Sequence, residues 1–387
     1  MSKLTDQLVA ATSAARQHTA LVVRAVYQPV GGAGRVVMPP TYPVDNERDP
    51  NARYLIGERL VDGQRRGAVV MDQEPSQANR VEEALRDARY QGRLQIPLFE
   101  IRMPTPAGEV RLTSLDFPHR YADAYLRDSL LDGTRFDESP VGKRLRTATV
   151  ADVRPLYCRE PASLIFGAWD SHRKGRWPKF ARLYSSSMYG LDPVTSIRRG
   201  GRMDPQNLTG TVDDATKAES DWKFIAEGSK AKGKKLSEIG HGNIAPNPVP
   251  GGVTVWEIHR VASISFAGLE RLRFGDGSAE AANFARAALA ALALAGDRLT
   301  FGGPSVWLRS GCDLAKVSEQ VGFERPDGGL DVLSVSSQDA IGAFHELQDL
   351  AGNAEIPMDR DIISLTPMAS LSQAITFAVT SGSQGTE

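Results

Sequence analysis

The chain has 387 residues, 41% hydrophobic and 24% charged, and its 46 Lys and Arg almost balance its 47 Asp and Glu, for a formal net charge of −1. That is ordinary globular composition, and a chain of this length buries roughly 75% of its unfolded surface, which excludes a disordered chain and any need for a disulfide or metal staple. Two cysteines, Cys158 and Cys312, with no CxxC pair, fit a reducing cytosol and argue against a structural zinc site, while the longest apolar run, Ala287–Gly296, is too short to span a bilayer.

Residues 1–18 read as a short helix or frayed tail without an apolar core of signal-peptide length, so a cytoplasmic protein with no membrane partner is expected. Thr19–Tyr27 is β-branched and apolar, a first strand. Gln28–Arg66 passes through GGAG and MPP with little periodicity, too long for an ordinary connection, and reads as a functional excursion. Gly67–Asp72 predicts a strand. In the helix after it, Pro75 suits the first turn, and Ala78, Val81, Leu85 and Ala88 recur at helical spacing. Leu94–Arg102 and Val110–Phe117 read as a hairpin, Tyr121–Leu131 as a helix, and Thr149–Trp169 as helix then strand. Pro178 opens a further expected helix with Phe180, Leu183, Tyr184 and Met188 on one face. Val253–Phe274 returns to strand character, Ser278–Leu294 is a helix, Ser305–Leu314 a late strand and Ser337–Leu350 a helix. Intermixed strands and helices favour an α+β fold over a doubly wound sheet.

Catalytic motifs are scarce. GGAG (Gly31–Gly34) lacks the GK[ST] of a phosphate-cradling loop, and neither GxSxG nor a His pair at i, i+4 occurs. Cys312 has no local base to activate it. No metal or other cofactor is expected.

Charge is unevenly distributed. Between Arg135 and Arg202 there are 14 Lys/Arg and 6 Asp/Glu, a balance of +8, which leaves −9 for the rest. Such asymmetry points to a polyanionic partner. Arg173, Lys174, Arg176, Lys179, Arg182, Arg198, Arg199 and Arg202 face Asp192 alone, with Trp169, Trp177, Phe180, Tyr184 and Tyr189 interleaved. Single-stranded nucleic acid wants this mixture of cations for phosphate and flat side chains for bases. A solvated helix face with Phe180 and Tyr184 in the core is the plainer reading of the aromatics. His241, between two glycines in SEIGHGNI and beside Lys230, Lys232, Lys234 and Lys235, suits either a phosphate-approaching loop or a tight turn. SQANR (Ser76–Arg80) sets Gln77 and Arg80 off the apolar stripe of its helix, with Arg80 able to pair with Glu82 or Glu83.

Taken together, VVMPPTY (Val36–Tyr42), VVMDQEPSQANRVEEAL (Val69–Leu85), SLIFGAWDSHRKGRWPKFARLYSSS (Ser163–Ser187), SEIGHGNI (Ser237–Ile244) and LRSGCDL (Leu308–Leu314) resemble the CRISPR-associated backbone subunit of type I-U (I-G) Cascade, in the RAMP superfamily. The resemblance runs from about Leu21 to Leu314. It implies a modified RRM-like, ferredoxin-like βαββαβ palm with large thumb and finger insertions. The palm would occupy 1–202, with the excursion at 28–66, and resume at 253–387 with the C-terminal helices; residues 203–252 would be an inserted, mobile, thumb-like subdomain. It further implies several copies along one CRISPR RNA, the guide pairing with target DNA, and other Cascade subunits and a recruited helicase–nuclease as partners. The protein then reads the guide's backbone while pairing reads sequence. The chain lacks an RNP1-like string, so a groove holding the backbone is expected rather than two bases stacked on a sheet. The expected RNA contacts are Arg173, Lys174, Arg176, Lys179 and Arg182, with Ser76, Gln77, Asn79 and Arg80 near the same groove, and Arg198, Arg199, His241, Lys234 and Lys235. Subunits of this kind are generally non-catalytic; a RAMP-type endoribonuclease is the alternative, for which Asp72, Asp116 and Asp170 are the nearest carboxylates but no motif supports them.

Overall fold

The computed structural model describes residues 1–44, 49–105, 108–170, 178–203, 205–206, 215–217, 222–224 and 243–382. The β-branched run after Thr19 forms the strand Ala20–Pro29, which lies inside an eight-stranded sheet. Across that sheet the order is Ser305–Trp307, Asp313–Glu324, Ala20–Pro29, Ile258–Ser265, Tyr184–Leu191, Gln64–Asp72 and Ile56–Val61, with Leu330–Leu333 also beside Asp313–Glu324. Every pairing is antiparallel.

Four of these strands make the palm. In chain order they are Ala20–Pro29, Tyr184–Leu191, Ile258–Ser265 and Asp313–Glu324, and in space they lie fourth, first, third, second. The helix Glu74–Tyr90 lies in the first crossover and Ala279–Phe301 in the second. This is the βαββαβ arrangement with insertions, and the fold class is α+β as expected.

One face of the sheet is packed. Ile258, Arg260, Ala262 and Ile264 alternate inward, whereas His259, Val261 and Ser263 turn away from the helices. The helix Ala279–Phe301 starts at Ser278, whose hydroxyl accepts from the Ala281 amide at 3.1 Å. Its run of Ala lets Ser337–Asn353, Glu74–Tyr90 and Lys3–Thr12 pack closely around it. A Cβ at Gly296 would sit 2.5 Å from Val81 Cγ1, so a larger residue there would force two helices apart. Below the sheet the core is in two parts. Leu21, Val23 and Ile264 belong to the large helical core, and Ala25, Tyr27, Met188 and Ile258 to a smaller one capped by Val37, Tyr54, Val253 and Leu308. Each fully buried aliphatic side chain stabilises the fold by about 1.5–3 kcal/mol.

A second sheet holds the expected hairpin, as Leu98–Thr105 and Gly108–Thr113, with Ile362–Pro367 added in parallel and Ser129–Leu131 and Thr134–Arg135 beyond.

Four local expectations are corrected. Pro178 opens no helix, and Tyr184–Leu191 is a strand. Tyr184 and Met188 are four apart, which suits period two as well as 3.6, and buried Ser186 between them is the inward residue that polarity disguised. Tyr121–Leu131 is a short turn, the four-residue helix Ala124–Arg127 and the strand Ser129–Leu131; Asp123 caps the helix and the Ser129 hydroxyl donates to the Tyr125 carbonyl at 2.7 Å. Thr149–Trp169 holds two short helices, Arg154–Arg159 and Pro161–Phe166, each with proline in its first turn, and no strand. The Gln28–Arg66 excursion contains the strand Ile56–Val61, hairpin-paired with Gln64–Asp72 through Asp62 and Gly63, both at positive φ.

Candidate nucleic-acid interface

The basic block of the sequence becomes two groups at opposite ends of one strand. Arg173, Lys174 and Arg176 lie outside the described residues, as do His241, Lys234 and Lys235. Lys179 and Arg182 are exposed just before Tyr184–Leu191; Arg198, Arg199 and Arg202 are exposed just after it. Eight strand residues at about 3.3 Å each separate the groups by about 26 Å.

At the first end, the backbone of Ala168 and Phe180 exchanges hydrogen bonds of 3.1 and 3.0 Å. Phe180 and Leu183 are thereby turned into the core while Lys179 and Arg182 stay outside. The Lys179 ammonium lies 5.0 Å from the ring centre of Trp169, which is 51% exposed. Arg182 Nε donates to the Phe166 carbonyl at 3.4 Å.

At the second end, Val194–Arg202 pairs with Ile244–Thr254 to form a two-stranded ribbon. Arg198 stands opposite Val249, Arg199 opposite Pro248 and Arg202 opposite Ile244. Because neighbours in a strand point to opposite faces, Arg198 and Arg199 put one guanidinium on each side of the ribbon. Pro246, Pro248 and Pro250 offer no N–H, which interrupts the ladder and discourages pairing with a stray strand. The foot of the ribbon is fixed. Val37 and Val253 exchange backbone hydrogen bonds at 2.9 Å, and the Gly252 amide donates to Tyr54 Oη at 2.9 Å. Gly252 has φ +94°, and a Cβ there would fall 2.6 Å from the Val37 carbonyl oxygen. Among the described residues no carboxylate pairs with Lys179, Arg182, Arg198, Arg199 or Arg202.

The SQANR segment behaves differently from the reading of its spacing. Asn79 is exposed and Ser76 half-buried, but Gln77 is fully buried. Its Nε2 donates to Asp72 Oδ2 at 2.6 Å, and its Oε1 accepts from Ser186 Oγ at 2.8 Å and Arg260 Nε at 3.1 Å. Gln77 is therefore a brace under the sheet, and its placement off the apolar stripe is corrected. Arg80 pairs neither with Glu82 nor with Glu83; its Nε donates to Asp72 and its Nη1 to the Trp307 carbonyl, both at 3.0 Å.

The same brace extends into the helical layer. Arg260, 0% exposed, donates to the Tyr184 hydroxyl at 2.9 Å and pairs with Asp297, with Phe301 3.6 Å from its guanidinium carbon. Burial pushes the Asp297 carboxyl up, but Arg260 and Arg298 outweigh it and hold it at about 2. These charges are desolvated and paired with one another, with only Arg260 Nη1 left without a hydrogen-bond partner among the described residues, so removal of one member of the pair costs about 3–5 kcal/mol.

The face of the sheet turned from the helices carries a row the spacing did not expose. Arg59 lies 4.2 Å from the Tyr189 ring centre, and the His259 ring stacks on Tyr189 at 5.7 Å and 13°. The strand of His259 adjoins that of Tyr189 on one side, whereas Arg59 reaches the ring from the other side across the intervening strand Gln64–Asp72. His259 in turn meets Glu257 at 2.9 Å. Cross-strand alignment of positions 189 and 259 is what makes the row, and it cannot be read from either segment alone.

The nucleophile and carboxylate candidates are otherwise engaged. Burial pushes both thiols up, and Cys312 Sγ donates to the Met38 carbonyl at 2.9 Å. Asp72 is held by Gln77 and Arg80, and Asp116 by Arg86 and the Thr113 hydroxyl. Among the described residues no three His, Cys, Asp or Glu side chains cluster as metal ligands, and no helix is long and apolar enough to cross a membrane.

No curated protein matches the chain. Residues 21–194, a little under half of it, match the model of the family described as CRISPR-associated protein GSU0053. The match begins in the first palm strand, takes in Lys179 and Arg182, and ends at the first residue of the ribbon. From the first strand to the foot of the ribbon, the chain is similar to this CRISPR-associated family.

Proposed function

We propose that the protein is a non-catalytic, sequence-independent CRISPR RNA-binding subunit of the RAMP type. Several copies would line up along one guide in a type I-G Cascade complex and present it for pairing with target DNA. The observation that carries this reading is the set of cations at both ends of Tyr184–Leu191 that pair with no carboxylate among the described residues, on a ferredoxin-like palm similar to a CRISPR-associated family. Lys179 and Arg182 would hold phosphates at one end, and the ribbon arginines would hold them at the other. The Tyr189 ring, already in contact with Arg59 and His259, favours a grip on the backbone over base stacking on the sheet. Cleavage of target would fall to a separate helicase–nuclease.

Filter binding to single-stranded RNA tests the reading. The logarithm of affinity should fall with the logarithm of salt at a slope of about −0.7 per neutralised phosphate. Salt-independent affinity, or none, overturns it. Specific RNA cleavage that is lost on His241→Ala would establish an endoribonuclease instead.

A further inference from the structure

A cleft of about 420 Å³ opens between the 178–183 segment and the short helix Phe266–Glu270 with its C-terminal turn. Lys179 and Arg182 line one side, and Arg271, 89 positions from Arg182, lines the other. Among the described lining residues there is no Asp or Glu. Two cations close by are neutralised, Arg16 by Glu270 at 2.8 Å and Arg154 by Asp152 at 2.7 Å, whereas no carboxylate among the described residues pairs with the three in the cleft. Three cations left to converge on one concave surface repel one another until an anion sits between them.

The walls add a second requirement. Val150, Ala267 and Leu272 present apolar surface between the charges, and Val150 is 66% exposed. A bare phosphate needs no such walls and fills only a small part of this volume. Small-ligand clefts begin at about 300 Å³, and a nucleotide offers both a phosphate for the cations and a flat ring or ribose for the apolar wall.

We infer that this cleft is a nucleotide-binding subsite of the RNA path, in which Arg271 joins Lys179 and Arg182 on one phosphate while the attached nucleoside lies against Val150 and Leu272. The inference rests on the RNA-binding reading above and assigns it a place: the strand crosses the sheet at the start of Tyr184–Leu191. Arg271 is exposed at the end of its helix, so its replacement leaves the core untouched.

The test is binding of a single-stranded oligouridylate to the full chain across a salt series, comparing wild type with Arg271→Ala, Arg271→Glu and Arg271→Lys, with circular dichroism to verify folding. Arg271→Ala should lower affinity about fivefold and reduce the salt slope by about 0.7. Arg271→Glu should lower it further, and Arg271→Lys should recover most of the loss. If wild type binds and all three variants match it, the cleft is overturned while the RNA-binding reading stands. If wild type does not bind, both fall.

Discussion

Glu160 is a carboxylate that the fold keeps out of water. It joins the helices Arg154–Arg159 and Pro161–Phe166, is fully buried, and leaves Oε2 without a hydrogen-bond partner. Burial pushes its carboxyl up to about 7, against smaller pulls from Ser114, Arg120 and Arg159. The folded state thus holds the proton more tightly than the unfolded chain does. Its contribution is complete below the ordinary value near 4.5 and is lost as pH rises towards 7. We expect wild type to lose roughly 3 kcal/mol across that window through this group, and Glu160→Gln to lose none of it. Urea unfolding of both at several pH values checks this; parallel pH profiles would contradict it. Nothing in the sequence around Glu160 announces such burial. The same is true of Gln77 and Arg260, polar residues whose partners come from distant segments. Composition gives a residue's chemistry, but only topology brings its partner.

At the scale of elements, the ribbon Val194–Arg202/Ile244–Thr254 is where charge and architecture coincide. Replacing Arg198, Arg199 and Arg202 together with Ala should leave the thermal midpoint unchanged, since all three are exposed. RNA affinity should fall at least about tenfold, with a salt slope shallower by about 2. Unchanged affinity would mean that the ribbon does not hold RNA. Elements with one dominant period were legible: the first strand, the helix after Asp72, the Ala-rich helix and the helix from Ser337 all occur where spacing places them. The Ala-rich helix runs past Leu294 to Phe301 because buried Asp297 and Arg298, which look like a polar end, neutralise each other inside. The segment from Pro178 misled because a buried serine broke the alternation of Tyr184–Leu191. The Asp62–Gly63 pair was a turn signal present in plain view, and it closes a hairpin in what reads as an unstructured excursion.

For the whole molecule, the net charge of −1 conceals the +8 of Arg135–Arg202. The structure divides that excess. Arg146, Arg154 and Arg159 are absorbed by carboxylates, whereas Lys179, Arg182, Arg198, Arg199 and Arg202 have none among the described residues. The legible part of the candidate site was its charge; the illegible part was its division across a strand and the arrival of Arg271 from the other side of the chain. On the proposed reading, cations at both ends of one strand and a formal charge of −9 over the rest suit the protein to repeat along a polyanion, with acidic residues of one copy set against the cations of the next. The most direct test is light scattering of the purified protein with single-stranded RNAs of increasing length, read together with the absorbance ratio at 260 and 280 nm. The account predicts complexes whose protein copy number rises in proportion to RNA length. A single copy at every length, or protein that leaves the RNA unbound, would contradict it.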